Sequence, residues 1–103
     1  MKLVAKKQVV IRTDKPLLRR VREVAIDAGI TDMDILSTLG GVRETGVWTD
    51  DQVTGGAGSV VFLVAIVDEA KAHALVNALK PLWDAYSLQI TVLDMHIAIP
   101  ADG

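Results

Sequence analysis

Short runs rich in β-branched residues alternate along the chain with longer stretches in which apolar residues recur every third or fourth position. Leu3-Val4-Ala5 and Gln8-Val9-Val10-Ile11-Arg12 carry the first strand signals. Thr13-Asp14 then offers a helix cap, and Lys15-Pro16 puts proline in the first turn, where its missing N–H is not needed. Leu17, Leu18, Val21, Val24, Ala25 and Ala28 follow at helical spacing, with Arg19, Arg20, Arg22 and Glu23 on the other face. Gly29 is placed to end this helix in the left-handed conformation.

A second strand is predicted over Met33–Leu39. From Gly40 to Gly58 no period is sustained and glycine recurs at 41, 46, 55, 56 and 58. A long irregular stretch inside a small domain is usually functional or disordered. Ser59 to Val67 then reads as a strand buried on both faces. Asp68 caps a second predicted helix from about Glu69, with Ala70, Ala74, Leu75, Ala78 and Leu79 on its inner stripe. Pro81 is expected to end or kink that helix, and Trp83 and Tyr86 to finish the helix–sheet core. Leu88 to Ile99 forms the last strand, stopped by Pro100. The order β-α-β-β-α-β predicts an α+β, ferredoxin-like sandwich: one domain over residues 1–103, with a long flexible loop at about 41–58 between strands 2 and 3.

In that architecture two helices cover one face of a four-stranded antiparallel sheet, and the other face should alternate with polar residues if water covers it. Residues 60–67 are apolar on both faces, and the last strand offers Leu88, Ile90 and Val92 on one side and Leu93, Met95, Ile97 and Ile99 on the other. Each such side chain gains roughly 1.5–3 kcal/mol on burial. The pattern therefore predicts a homo-oligomer that buries the second face.

Composition agrees and narrows the class. Half the 103 residues are apolar, only 4% are aromatic, and the net charge is −2. A pI of about 5.5 argues against a nucleic-acid binder, which would normally show a basic face. No apolar run approaches the roughly 20 residues of a membrane span, the N-terminus lacks a signal-peptide pattern, and there is no cysteine for disulfide or thiol chemistry. A cytoplasmic location is expected.

No catalytic constellation stands out. His73 and His96 lack the spacing of a metal site, and Ser37 and Ser59 have no paired base in sequence; the expectation is a protein that is not an enzyme and holds no metal. Gly40-Gly41-Val42-Arg43-Glu44-Thr45-Gly46 is different. Glycines let backbone N–H groups converge on an anion, and Arg43 adds a charged fork for phosphate or a small oxyanion. It is not a Walker A loop, because neither GxxxxGK[ST] nor a following helix is present. Trp48 in the same polar stretch suggests a ring that seeks a partner surface.

Ala28-Gly29-Ile30-Thr31-Asp32-Met33-Asp34-Ile35, followed by Gly40-Gly41-Val42-Arg43, resembles the PII signalling superfamily, which reads A/V-G-I-T-G-M-T-V and then K-G-F-G-R-Q at the root of its long T-loop. Val10-Ile11-Arg12-Thr13-Asp14-Lys15-Pro16-Leu17-Leu18-Arg19-Arg20-Val21 is closer to the PII-like regulators tied to bicarbonate transport and carboxysomes. The resemblance spans Val9 to about Ile99. It implies a homotrimer with inward-facing sheets that binds adenine nucleotides in clefts between subunits. It also implies a signalling role in which the T-loop changes conformation and addresses a protein target, such as a transporter or carboxysome component. Carried over by position, Met33, Asp34 and Ile35 lie near the adenine, Gly40, Gly41, Val42 and Arg43 at the phosphates, and Leu63, Val64 and Ala65 along the base pocket. Bicarbonate would use Gly41, Val42 and Arg43.

Three departures modify that expectation. Trp83-Asp84-Ala85-Tyr86-Ser87 stands where PII proteins carry a glycine-rich loop with a lysine, and Pro100-Ala101-Asp102-Gly103 lacks their basic residues. The T-loop lacks their modified tyrosine, since Tyr86 is the one tyrosine of the chain. Fewer cations at the phosphates penalise a triphosphate most, so ADP or AMP is expected over ATP, with no uridylylation. The alternatives are a CutA-type trimer, structural or metal-handling and without nucleotide, and a small acyl-phosphate hydrolase, for which Arg12 lacks a surrounding phosphate cradle.

Overall fold

Each strand of the main sheet carries two rows of side chains, and the helices cover only one of them. The computed structural model describes residues 1–44, 46–49 and 60–101. In chain order it contains β1 (Lys2–Asp14), a 3-10 turn (Lys15–Leu17), α1 (Leu18–Asp27), β2 (Asp34–Ser37), β3 (Gly40–Arg43), β4 (Gly46–Thr49), β5 (Val60–Val67), α2 (Glu69–Ala85) and β6 (Gln89–Ile99). The main sheet is four-stranded in the order β2-β5-β1-β6, and all three strand pairs are antiparallel. This is the expected ferredoxin-like arrangement, with β1 and β5 in the centre.

Register decides which row is buried. Val9, Ile11 and Thr13 of β1 stand opposite Ala65, Leu63 and Val61 of β5. All six are buried, and they pack under Val21 and Ala25 of α1 and Ala72, Leu75, Leu79 and Leu82 of α2. The intervening row faces away from the helices. There Val10, Phe62 and Val64 are half-buried by their neighbours, while Leu36, Ile66 and Leu93 are exposed.

The helix ends follow local chemistry. Asp68 accepts a hydrogen bond from the Lys71 backbone N–H at 2.9 Å, capping α2. Gly29 takes a φ of +96° after α1, a conformation that disfavours any side chain. Its carbonyl accepts from Lys71 Nζ at 2.9 Å, which ties the C-terminal end of α1 to α2.

Several elements differ from the sequence expectation. The two predicted N-terminal strand pieces form one strand, because β6 pairs with β1 without a break from Lys2 to Arg12 and bridges the lysines at 6 and 7. α2 runs through Pro81 to Ala85. Proline removes one backbone donor there, and the acceptor thus freed belongs to exposed Asn77, while buried Leu79 and Leu82 on either side hold the helix to the core. Trp83 and Tyr86 are 44% and 43% exposed, so Leu82 and Leu88 close that end of the core in their place. The predicted irregular stretch begins as a hairpin, β3 paired with β4 from Gly40↔Thr49 to Arg43↔Gly46. Within the predicted loop 41–58, residue 45 and residues 50–58 lie outside the described residues, as do Ser59, Asp102 and Gly103.

Candidate functional site

β2 forms one edge of the sheet, and the residues leading into it bend over its open face. Asp32, Met33, Asp34, Val64 and Ile66 line a shallow cleft of about 240 Å³ there. Asp34 lies opposite Val64 in the register, so both side chains share the open face. Met33 also packs against the hydrophobic core. Asp32 accepts a hydrogen bond from the Thr31 hydroxyl at 3.3 Å.

The chain leaves β2 through a staple. The Thr38 backbone N–H and its hydroxyl both donate to the Val60 carbonyl, at 3.2 and 2.7 Å. The two ends of the segment between β2 and β5 are thereby held together, and β3 follows directly. Sequence inspection passes over Thr38, although a hydroxyl-bearing residue just after a strand and just before Gly40 is the available signal.

The predicted nucleotide residues separate into three groups. Met33, Asp34 and Val64 come together in the cleft. Gly40, Gly41, Val42 and Arg43 form β3, in a two-stranded sheet of their own with β4. Leu63 and Ala65 are the correction: at 0% and 2% exposure they face the helices, because strand alternation puts them on the side opposite Val64. Ile35, paired with Leu63, is on that helix side too. These three residues support the cleft from beneath, and their side chains do not line it.

Two further depressions flank α2. One, of about 310 Å³, is lined by Lys7, Glu69, Ala72, His73, Val76 and Val92. The other, of about 400 Å³, shares Lys7 and Glu69 and adds Ala5, Lys6, Asp94, Met95 and His96. Lys7 donates to Asp94 across the β1–β6 pair. That hydrogen bond holds the Asp94 carboxyl below its ordinary range and raises the Lys7 ammonium above its own. His73 Nε2 lies 4.0 Å from Glu69 on the same exposed helix face. Among the described residues no three His, Cys, Asp or Glu side chains are grouped to hold a metal ion, and no helix is long and apolar enough to cross a membrane.

The same fold is found in solved structures. CPII from Thiomonas intermedia K12, a nitrogen regulatory PII-like protein bound to ADP, AMP and bicarbonate, superposes with a TM-score of 0.75 over 96% of this chain and 99% of that one, at 20% identity. The fold is that of the PII-like proteins. A PII-like signaling protein from Thermus thermophilus gives the same TM-score at 23% identity, covering 95% of this chain and 94% of its own. The ATP complex of GlnK from B. subtilis is more distant, at TM-score 0.61 and 10% identity over 88% and 82% of the two chains. No family model matches the sequence, and no curated protein matches it.

Proposed function

We propose that this chain is a PII-like regulatory protein that binds an adenine nucleotide at the β2 edge and reports the bound state through the segment between β2 and β5. In this reading it acts as a homotrimer, is not an enzyme, and works in the cytoplasm on a protein target reached by that T-loop. The observation that carries the reading is that β2 runs from the Asp32–Asp34 cleft at its start to the stapled root of the β3–β4 hairpin at its end. The PII-like neighbour that contains ADP, AMP and bicarbonate supports it.

Met33, Asp34 and Val64 hold the base, with Ile35, Leu63 and Ala65 fixing the strand positions behind them. Gly40, Gly41 and Val42 offer backbone N–H groups to the phosphates, and Arg43 offers the single cation of this set. One cation suits one or two phosphates better than three, so ADP and AMP bind more tightly than ATP. Bicarbonate competes for the Gly41–Arg43 root or is coupled to it, and any coupling acts equally in both directions. A ligand that contacts one loop conformation better than another shifts the population toward it.

Thermal shift and titration calorimetry test this with AMP, ADP and ATP, each with and without bicarbonate. A ligand at one hundred times its dissociation constant adds about 2.7 kcal/mol of stability. Arg43→Ala is expected to weaken ADP by roughly tenfold, the loss of one charge-assisted hydrogen bond. No shift with any nucleotide returns the CutA-type alternative, and ATP binding more tightly than ADP removes the preference.

A further inference from the structure

Residues 28–33 carry the chain from the end of α1 to the start of β2 without regular structure of their own. Asp32 and Met33, at the far end of this connection, line the cleft at the β2 edge. The near end is fastened twice. The Ile30 N–H donates to the Ala25 carbonyl at 3.1 Å, and the Gly29 carbonyl accepts from Lys71 Nζ at 2.9 Å. Ile30 is buried, so the anchored end belongs to the core. The Thr31–Asp32 hydrogen bond stays within the connection itself.

Lys71 lies in the first turn of α2, where its own N–H is bonded to the Asp68 carboxylate. That cap fixes the turn, and the side chain then reaches a carbonyl 42 positions earlier in the chain. Its stem runs close against Gly29: a Cβ there would sit 3.1 Å from Nζ and 3.7 Å from Cδ. A side chain at 29 would therefore crowd the ammonium as well as strain the φ of +96°. The ammonium also faces the carbonyl end of α1, where the helix dipole favours a cation.

We infer that Lys71 is a positioning residue for the β2-edge cleft: it holds the connection where Asp32 and Met33 can line the cleft with Val64. The inference rests on the nucleotide reading above for its ligand, and it gives the start of α2 a part in a site that α2 does not line. Asp32 is three residues beyond the tied carbonyl, so freedom gained at Gly29 is passed to the lip of the cleft. A lip that must be ordered when a ligand arrives costs affinity, and a lip held in advance does not.

Amide hydrogen exchange and ADP titration on Lys71→Leu and Lys71→Arg test this. Leucine keeps an apolar stem and removes the donor, whereas arginine keeps both charge and donors. Lys71→Leu is expected to speed exchange at the Ile30 amide on the order of tenfold, as its charge-assisted neighbour is lost. Exchange at Leu75 and Leu79 of α2 should stay as in wild type. The ADP dissociation constant should rise about fivefold, the equivalent of one net hydrogen bond. Lys71→Arg should recover most of both effects. Unchanged exchange at Ile30 overturns the inference. Faster exchange with unchanged ADP affinity also overturns it, since the tie would then serve α1 alone. An arginine variant as weak as the leucine one, or exchange that rises equally at Leu75 and Leu79, does the same. A wild type that binds no nucleotide removes the functional reading and the cleft role with it, while exchange at Ile30 still decides the tie.

Discussion

The two faces of β5 are built from the same kinds of residue and have different fates. Val61, Leu63 and Ala65 lie under α1 and α2, with 0–2% of their surface exposed. Phe62, Val64 and Ile66 alternate with them, are as apolar, and have no second layer among the described residues. Hydrophobicity therefore does not separate inside from outside in this strand; the position of the helices does. Burial of apolar surface favours the same outcome on both sides, which is the physical basis for the self-association proposed above.

The sharpest way to break this comparison is to place the same charge on neighbouring residues. Leu63→Asp buries an unpaired carboxylate, a cost of several kcal/mol against a total stability of roughly 5–15 kcal/mol. Circular dichroism should show an unfolded chain. Val64→Asp puts the identical group one residue further on the open row, and the same measurement should show native secondary structure at a lower sedimenting mass. A folded Leu63→Asp chain would remove the distinction between the faces.

Smaller changes check that these effects arise from the faces and not from general fragility. Asp68→Ala removes the α2 cap and touches neither row; urea denaturation should show a loss of about 1 kcal/mol with the assembly intact. Asp94→Asn, where β6 pairs with Lys7 of β1, should have the smallest effect, a minor drop in the thermal midpoint near neutral pH. The depressed Asp94 pKa makes its contribution fully present above the ordinary carboxylate range and lost as pH falls below that range through the lowered pKa, so wild type and variant should converge in strong acid. The raised Lys7 pKa keeps the pair intact up to the ordinary lysine range and beyond it. Melting curves across pH check both limits.

The element order was legible because each helix has its own stripe and its own terminal signals, with Gly29 and Asp68 placed as expected. The oddly apolar second row was legible too, since residues 60–67 leave no polar alternate. What the pattern hid was tertiary. Lys6 and Lys7 look like a break in β1, yet a strand tolerates charges when their side chains project from the sheet. Lys7 meets Asp94, 87 positions further along the chain, only because β6 returns beside β1. Pro81 looks like a stop, yet buried leucines on both sides hold the helix together. Of the residues the family resemblance carries over by position, Met33, Asp34 and Val64 share a cleft, whereas Leu63 and Ala65, next to Val64 along the chain, lie on the opposite face of the strand, which alternation imposes and position in the sequence alone does not reveal.

The two edges of the main sheet are unequal: β2 has 4 residues and β6 has 11. A short edge offers little to a foreign strand, while a long one is a template for it. A newly made or released copy therefore carries two hazards at once, an uncovered apolar face and a long row of unsatisfied backbone groups along β6. If the proposed assembly covers that face, the time a free copy spends with both exposed is set by how quickly it meets another copy, and dilution would lengthen it.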